Sequence, residues 1–142
     1  MIFLAIAIYF VFYSLVGWGI DSMWRSLELQ KWSPGGFSKA PFCPSYGFGA
    51  LIILALAPAF GHWPLILQWV GYTLVLGGWE YFAGAMSLHL ITKRRLWNYS
   101  KNILNINGHT DLFHAASWGA LALFLVYDLH PYVSSVLMRF FI

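Results

Sequence analysis

PLILQWVGYTLVLGGWEYFAGAMSLHLIT, residues Pro64–Thr92, decides the fold class. At ~1.5 Å per residue this stretch exceeds the ~30 Å hydrocarbon core of a bilayer. Its one acid is Glu80. A carboxylate near the middle of a membrane span costs ~2.5–3.5 kcal/mol on insertion scales, so such a position must be sheltered. The neighbours suggest where the shelter lies. Thr73, Gly77, Glu80, Gly84 and Ser87 are spaced by 4, 3, 4 and 3 residues, which places them on one helical face. Leu74, Leu76 and Phe82 lie elsewhere on the helix. Small residues admit a second helix and polar ones bond across the contact, so Glu80 faces protein or a wet cavity. Two readings stay open: a substrate, ion or proton site, or a structural carboxylate hydrogen-bonded to a neighbour's backbone, Trp or Arg.

Working outward, Phe60-Gly61-His62-Trp63-Pro64 reads as a tight turn, because Gly and Pro punctuate helices. The apolar run before it, about residues 46–60, therefore forms a helix hairpin with residues 64–92. Ile2–Ile20 is uncharged over 19 residues, about 28 Å of helix. It has neither a basic leading region nor a small-residue cleavage site, so a retained spanning helix is expected rather than a signal peptide. A fourth span covers about residues 112–129, with Asp128 at its end. The tail from Pro131 is apolar but too short to cross, and is expected in the interface or against the bundle. Asp21–Lys31 can extend the first helix beyond the membrane surface. Pro34-Gly35-Gly36 and Ala40-Pro41-Phe42-Cys43-Pro44 cannot be regular helix. Residues 34–49 form either a re-entrant segment or a plain loop leading into a helix.

Composition agrees. Of 142 residues, 60% are apolar, 20% aromatic and only 9% charged, against about 25% charged in a soluble domain. That excludes an ordinary soluble domain, a disordered tail and a fibrous repeat. The single Cys43 allows no internal disulfide, and no zinc-ligand spacing is present. The first long loop holds Arg25, Lys31 and Lys39, and the second holds Lys93, Arg94, Arg95 and Lys101; the hairpin turn has no Lys or Arg and the tail has only Arg139. By the positive-inside rule both long loops are cytoplasmic and both termini face outward. Trp18, Trp24, Trp63 and Trp97 fall near the expected boundaries, as an aromatic belt would.

Other clusters are weaker. Asp21 and Arg25, four apart, form either a surface ion pair or a site where Arg25 points inward as a counter-charge. His109, Asp111 and His114 match no specific metal site, so no metal is expected, and Thr110 or Asp111 reads as a helix N-cap. Lys93-Arg94-Arg95 with Trp97 and Tyr99 is a topology signal that also suits anionic headgroups, rather than a nucleic-acid patch. The chain carries no Walker loop, dinucleotide turn, nucleophile elbow or zincin motif, so no catalytic residue and no cofactor is assigned.

Several pieces together resemble a known family: Gly17-Trp18 followed by Asp21, Gly36-Phe37, Pro41-Phe42-Cys43-Pro44-Ser45-Tyr46-Gly47-Phe48-Gly49, Trp79-Glu80-Tyr81 with Gly84, Trp97-Asn98-Tyr99-Ser100, Asn107-Gly108 and Trp118-Gly119. They resemble, in order and over most of the chain, the small multispanning proteins known as putative type IV ABC-transporter (CmpB-like) permeases. Asp21 stands where that family usually has Glu, Asn98 where it has Asp, Ala40 where it has Gly and His109 where it has Arg. Asn98 and His109 lose or soften their charge, which weakens the case for an ionic contact between those positions.

The expectation is thus an all-α integral membrane protein, residues 1–142 as one transmembrane domain, with a bundle of four transmembrane helices. The resemblance implies a transporter permease-like subunit of unknown substrate in a bacterial cytoplasmic membrane. Its partners would be the lipid bilayer and either a second copy or a partner membrane or ATPase subunit, with no nucleic acid. Glu80 would be the polar centre, with Asp21, Arg25, Tyr46, Tyr81, Trp97, Tyr99 and His109 as the accompanying candidates. The competing readings are a non-transporting scaffold or accessory protein that binds a membrane partner or lipid, and a membrane enzyme using Asp21, Glu80, His109 and His114.

Overall fold

The computed structural model describes residues 2–36 and 40–141, so Phe37 and Lys39, which the sequence analysis used, lie outside the described residues. The fold is mostly helical and its contacts group into two compact units, Met1–Ile52 and Ile53–Ile142.

Unit 1 is built on α1, a single helix over Ile2–Leu29. The uncharged run continues without a break through Asp21, as expected, until Gln30 adopts a left-handed backbone (φ 50°). One face of α1 is small and buried: Ser14, Gly17 and Ser22. The irregular segment after α1 runs back along that face. Near its start, the Gly35 amide donates to Ser22 Oγ (2.7 Å) and the Gly36 amide to Asp21 Oδ2 (2.9 Å). Further on, the Cys43 amide donates to the Ser14 carbonyl (3.0 Å). Non-helical backbone thus reaches a level inside the first expected span, where α1 carbonyls and side chains satisfy its polar groups. Helix α2 starts there and covers Pro44–Phe60, two residues earlier than the sequence suggested. Pro suits that first position because its missing N–H would be unsatisfied anyway. Gly17 is required by the packing: a Cβ there would overlap the Tyr46 side chain.

In unit 2 the expected turn is present. The Gly61 amide donates to the Ala57 carbonyl (2.9 Å), the Trp63 amide to that of Phe60 (2.9 Å), and the Phe60 and Trp63 rings stack 4.5 Å apart. Helix α3 then covers Leu65–Met86 and closes with a π turn, Ser87–Ile91. Helix α4 (Leu112–Phe124) passes through a second π turn, Leu125–Leu129, into α5 (His130–Phe141). The fourth helical run therefore does not stop at Leu129. Pro131 falls in the first turn of α5, where its ring is tolerated, and the π turn absorbs the change of register. Between α3 and α4 the loop carries a two-stranded antiparallel ladder, β1 (Asn105–Ile106) with β2 (Thr110–Asp111).

The main contact of unit 2 is α3 on α4. Ala115, Gly119 and Ala122 of α4 are buried, and a Cβ at Gly119 would collide with Thr73 and lie 2.9 Å from the Trp69 carbonyl oxygen. The Trp69 indole donates to the Ala116 carbonyl (3.0 Å), tying the two helices at the same level. Leu74 and Phe82 of α3 and Leu121 and Phe124 of α4 point outward and are exposed, whereas Leu76 is buried. Two described helical runs are long and apolar enough to cross a membrane, Ile2–Leu29 and Leu112–Leu137; Pro44–Phe60 is a shorter apolar helix.

Candidate functional site

The polar face of α3 is closed by the loop that follows it. Gly77, Glu80, Gly84 and Ser87 are all buried, as their spacing suggested, while Thr73 is half-buried. Gly84 makes room for the loop: a Cβ there would lie 2.9 Å from His109 Nδ1 and 3.2 Å from Trp97 Cζ2.

Glu80 retains only 9% of its exposure. The Tyr99 hydroxyl donates to its Oε1 (3.1 Å) and the Thr110 hydroxyl to its Oε2 (2.8 Å). The Trp118 indole of α4 is a third donor. All three are neutral, so hydrogen bonds rather than a salt bridge satisfy the carboxyl.

The donors are themselves held in place. The Tyr99 amide donates to the Gly108 carbonyl (2.9 Å), and the Tyr99 ring stacks on the His114 imidazole at 4.1 Å. Asp111 caps α4 by accepting the His114 amide on Oδ1 (2.9 Å). Its Oδ2 meets His114 Nδ1 at 2.7 Å and accepts from the Asn102 side chain (Nδ2), also at 2.7 Å. Burial opposes the Asp111 carboxylate, but the His114 amide, Asn102 and the His114 ring together hold its carboxyl below the ordinary carboxylate range. Thr110 lies next to this cap, so the geometry that starts α4 also aims the Thr110 hydroxyl at Glu80.

His109, Tyr81 and Trp97 form the rim of the same cluster. The Trp97 indole donates to the His109 carbonyl (2.8 Å), and the His109 ring meets Tyr81 edge to face at 5.3 Å. Asn107 donates to the Tyr81 hydroxyl (3.0 Å), and Arg95 donates to the Asn107 carbonyl (3.0 Å). Burial first, then Arg95 and His89, pushes the His109 imidazole below its ordinary range. Asn98 does not pair with His109; its Oδ1 accepts from the Ser100 amide (3.1 Å).

Five of the eight candidates therefore share one cluster: Glu80, Tyr81, Trp97, Tyr99 and His109. Asp21, Arg25 and Tyr46 belong to unit 1. There Asp21 Oδ2 accepts from the Gly36 amide and lies 3.8 Å from Arg25 Nε, and the Arg25 guanidinium also reaches the Pro34 carbonyl (3.5 Å). That pair is half-exposed and serves to hold the loop. Cys43 is buried beside Ser45, and burial pushes its thiol up, so it is a poor target for labelling. Thr110, Asn102 and Trp118 were missed as site residues. The sequence marks Thr110 only as a possible cap, and nothing local joins it to Glu80. Among the described residues no cluster of His, Cys, Asp or Glu could hold a metal ion.

No curated protein and no solved structure matches the chain. A family profile does, over residues 8–141, and it spans both the loop that packs on α1 and the cluster around Glu80. The chain belongs to the family described as "Putative ABC-transporter type IV".

Proposed function

We propose that this chain is a membrane-spanning subunit of a transporter, with the Glu80 cluster as its polar centre. It crosses the bilayer with four helical runs, α1, α2, α3 with its π turn, and α4 with α5, and keeps both basic loops on the cytoplasmic side. Family membership and the two long apolar helices support the membrane setting. The observation that carries the reading is the way Glu80 is satisfied: by two hydroxyls from a loop and an indole from α4. A salt bridge would be costly to break in a buried site. Neutral donors contribute about 1 kcal/mol each and can be exchanged for polar groups of a passing substrate. The chain has no nucleotide-binding motif, so ATP hydrolysis belongs to a partner subunit. A bundle of only four helical runs encloses little volume, so the pathway is read as lying between copies or between this chain and that partner.

A scaffold role is the second reading, and one observation favours it: the carboxyl finds its partners within the same chain, as helix glue would. Purification of the tagged full chain from detergent-solubilised membranes separates the two. The transporter reading expects a co-purifying ATP-hydrolysing subunit whose activity drops several-fold with Glu80→Gln while the abundance of the chain holds. Recovery without an ATPase, or a variant that loses abundance but keeps specific activity, would favour the scaffold.

A further inference from the structure

The loop between α3 and α4 spends its polar atoms inward and its apolar side chains outward. The Asn105 side chain donates to the Asn102 carbonyl (2.8 Å) and accepts from the Gly108 amide (3.0 Å). The Asn102 amide donates to the Tyr99 carbonyl (2.8 Å), and Leu104 and Asn107 both take left-handed backbone to close the turns. The result is a rigid tip on which Ile103 is 87% exposed, Leu104 67% and Ile106 58%. Beside it, Lys93, Arg94, Arg95 and Lys101 are exposed. The acids close by, Glu80 and Asp111, are buried and hydrogen-bonded, so the outer surface of this loop is uniformly positive. The loop is flanked on both sides by exposed apolar residues of helix ends, Leu90 and Ile91 before it and Leu112 and Phe113 after it.

We infer that this tip lies in the headgroup region of the anionic cytoplasmic leaflet, with Ile103, Leu104 and Ile106 inserted at the headgroup–acyl boundary and the four cations on the lipid phosphates. Charge complementarity selects this occupant. An apolar tip framed by cations suits a negatively charged lipid surface, and a loop tethered directly to membrane-length helices is already at that depth. The lipids would thereby hold the cover over the polar face of α3. The inference rests on the membrane reading proposed above, and its test separates the two.

The test uses the full-length Cys43→Ala chain reconstituted in vesicles, with a single bimane-labelled cysteine at Leu104→Cys or, as a reference in α1, at Leu15→Cys. Brominated acyl chains act as quencher. In phosphatidylglycerol–phosphatidylcholine vesicles both labels should be quenched. In pure phosphatidylcholine the Leu104→Cys label should lose its quenching while the α1 reference keeps it. Adding Arg94→Gln and Lys101→Gln should reproduce that loss in the anionic vesicles. Quenching at the reference but not at Leu104→Cys in anionic vesicles would overturn the inference alone, as would equal quenching of Leu104→Cys in both lipids. No quenching at either site would overturn the membrane reading with it.

Discussion

Each unit docks an irregular segment on a helix beside a glycine and a carboxylate, but the two carboxylates work under different conditions. Asp21 in unit 1 is half-exposed, lies 3.8 Å from Arg25 and accepts one loop amide. Glu80 in unit 2 is buried and bonded to neutral side chains from two separate segments. Water competes for the first and screens it, so its net contribution is small. The second has already lost its water, so removing either partner leaves a buried polar group unsatisfied. The glycines are the common term. Gly84 leaves room for the loop that reaches Glu80, whereas Gly17 leaves room for the Tyr46 side chain of α2.

Steric changes should therefore hurt both units and hurt most. Gly17→Val drives a side chain into Tyr46, and a cost of about 3 kcal/mol is expected in reversible unfolding in detergent. If the cost is under about 1 kcal/mol, the close approach in unit 1 is wrong. Glu80→Ala should cost about 2 kcal/mol, because it strands the Tyr99 and Thr110 hydroxyls. Arg25→Ala should cost about 0.5 kcal/mol or less. Equal costs for these two variants would erase the contrast between the carboxylates.

Acid should also distinguish the loop of unit 2. His109 and Asp111 both bind protons less readily when folded than unfolded, so the unfolded chain takes up more protons as pH falls. The His109 contribution is complete above the ordinary imidazole range near ~6.5 and is lost below it. That of Asp111 is complete above ~3.9 and is lost as pH falls through its lower folded value. Amide protection factors over residues 97–111, taken relative to the intrinsic exchange rate at each pH, should fall in two steps on acidification, and His109→Gln should remove the upper one. A single step unaffected by that variant would show that His109 is not held neutral by its surroundings.

The sequence made the helices readable where the signal was local. The uncharged run Ile2–Ile20, the Gly61–Pro64 turn and the face Gly77, Glu80, Gly84, Ser87 follow from composition, punctuation and the 3.6-residue period. The cap of α4 was legible only as Thr110 or Asp111, and the structure selects Asp111. What remained hidden depends on distance along the chain: Tyr99 and Thr110 reach Glu80 across 19 and 30 residues, and no periodic pattern encodes such a return. The continuation of helix past the span expected over residues 112–129 was not legible either, because a π turn carries the backbone through Asp128 and on to Pro131 without a local sequence signal.

The bond between Glu80 and the returning loop is the centre of the account, and a double-mutant cycle tests it most directly. Glu80→Ala and Thr110→Val, singly and together, are compared by reversible unfolding of the full chain in detergent. A coupling of about 1 kcal/mol or more between the two positions is expected. Additivity within about 0.3 kcal/mol would contradict it, because two groups joined by a buried hydrogen bond cannot act independently.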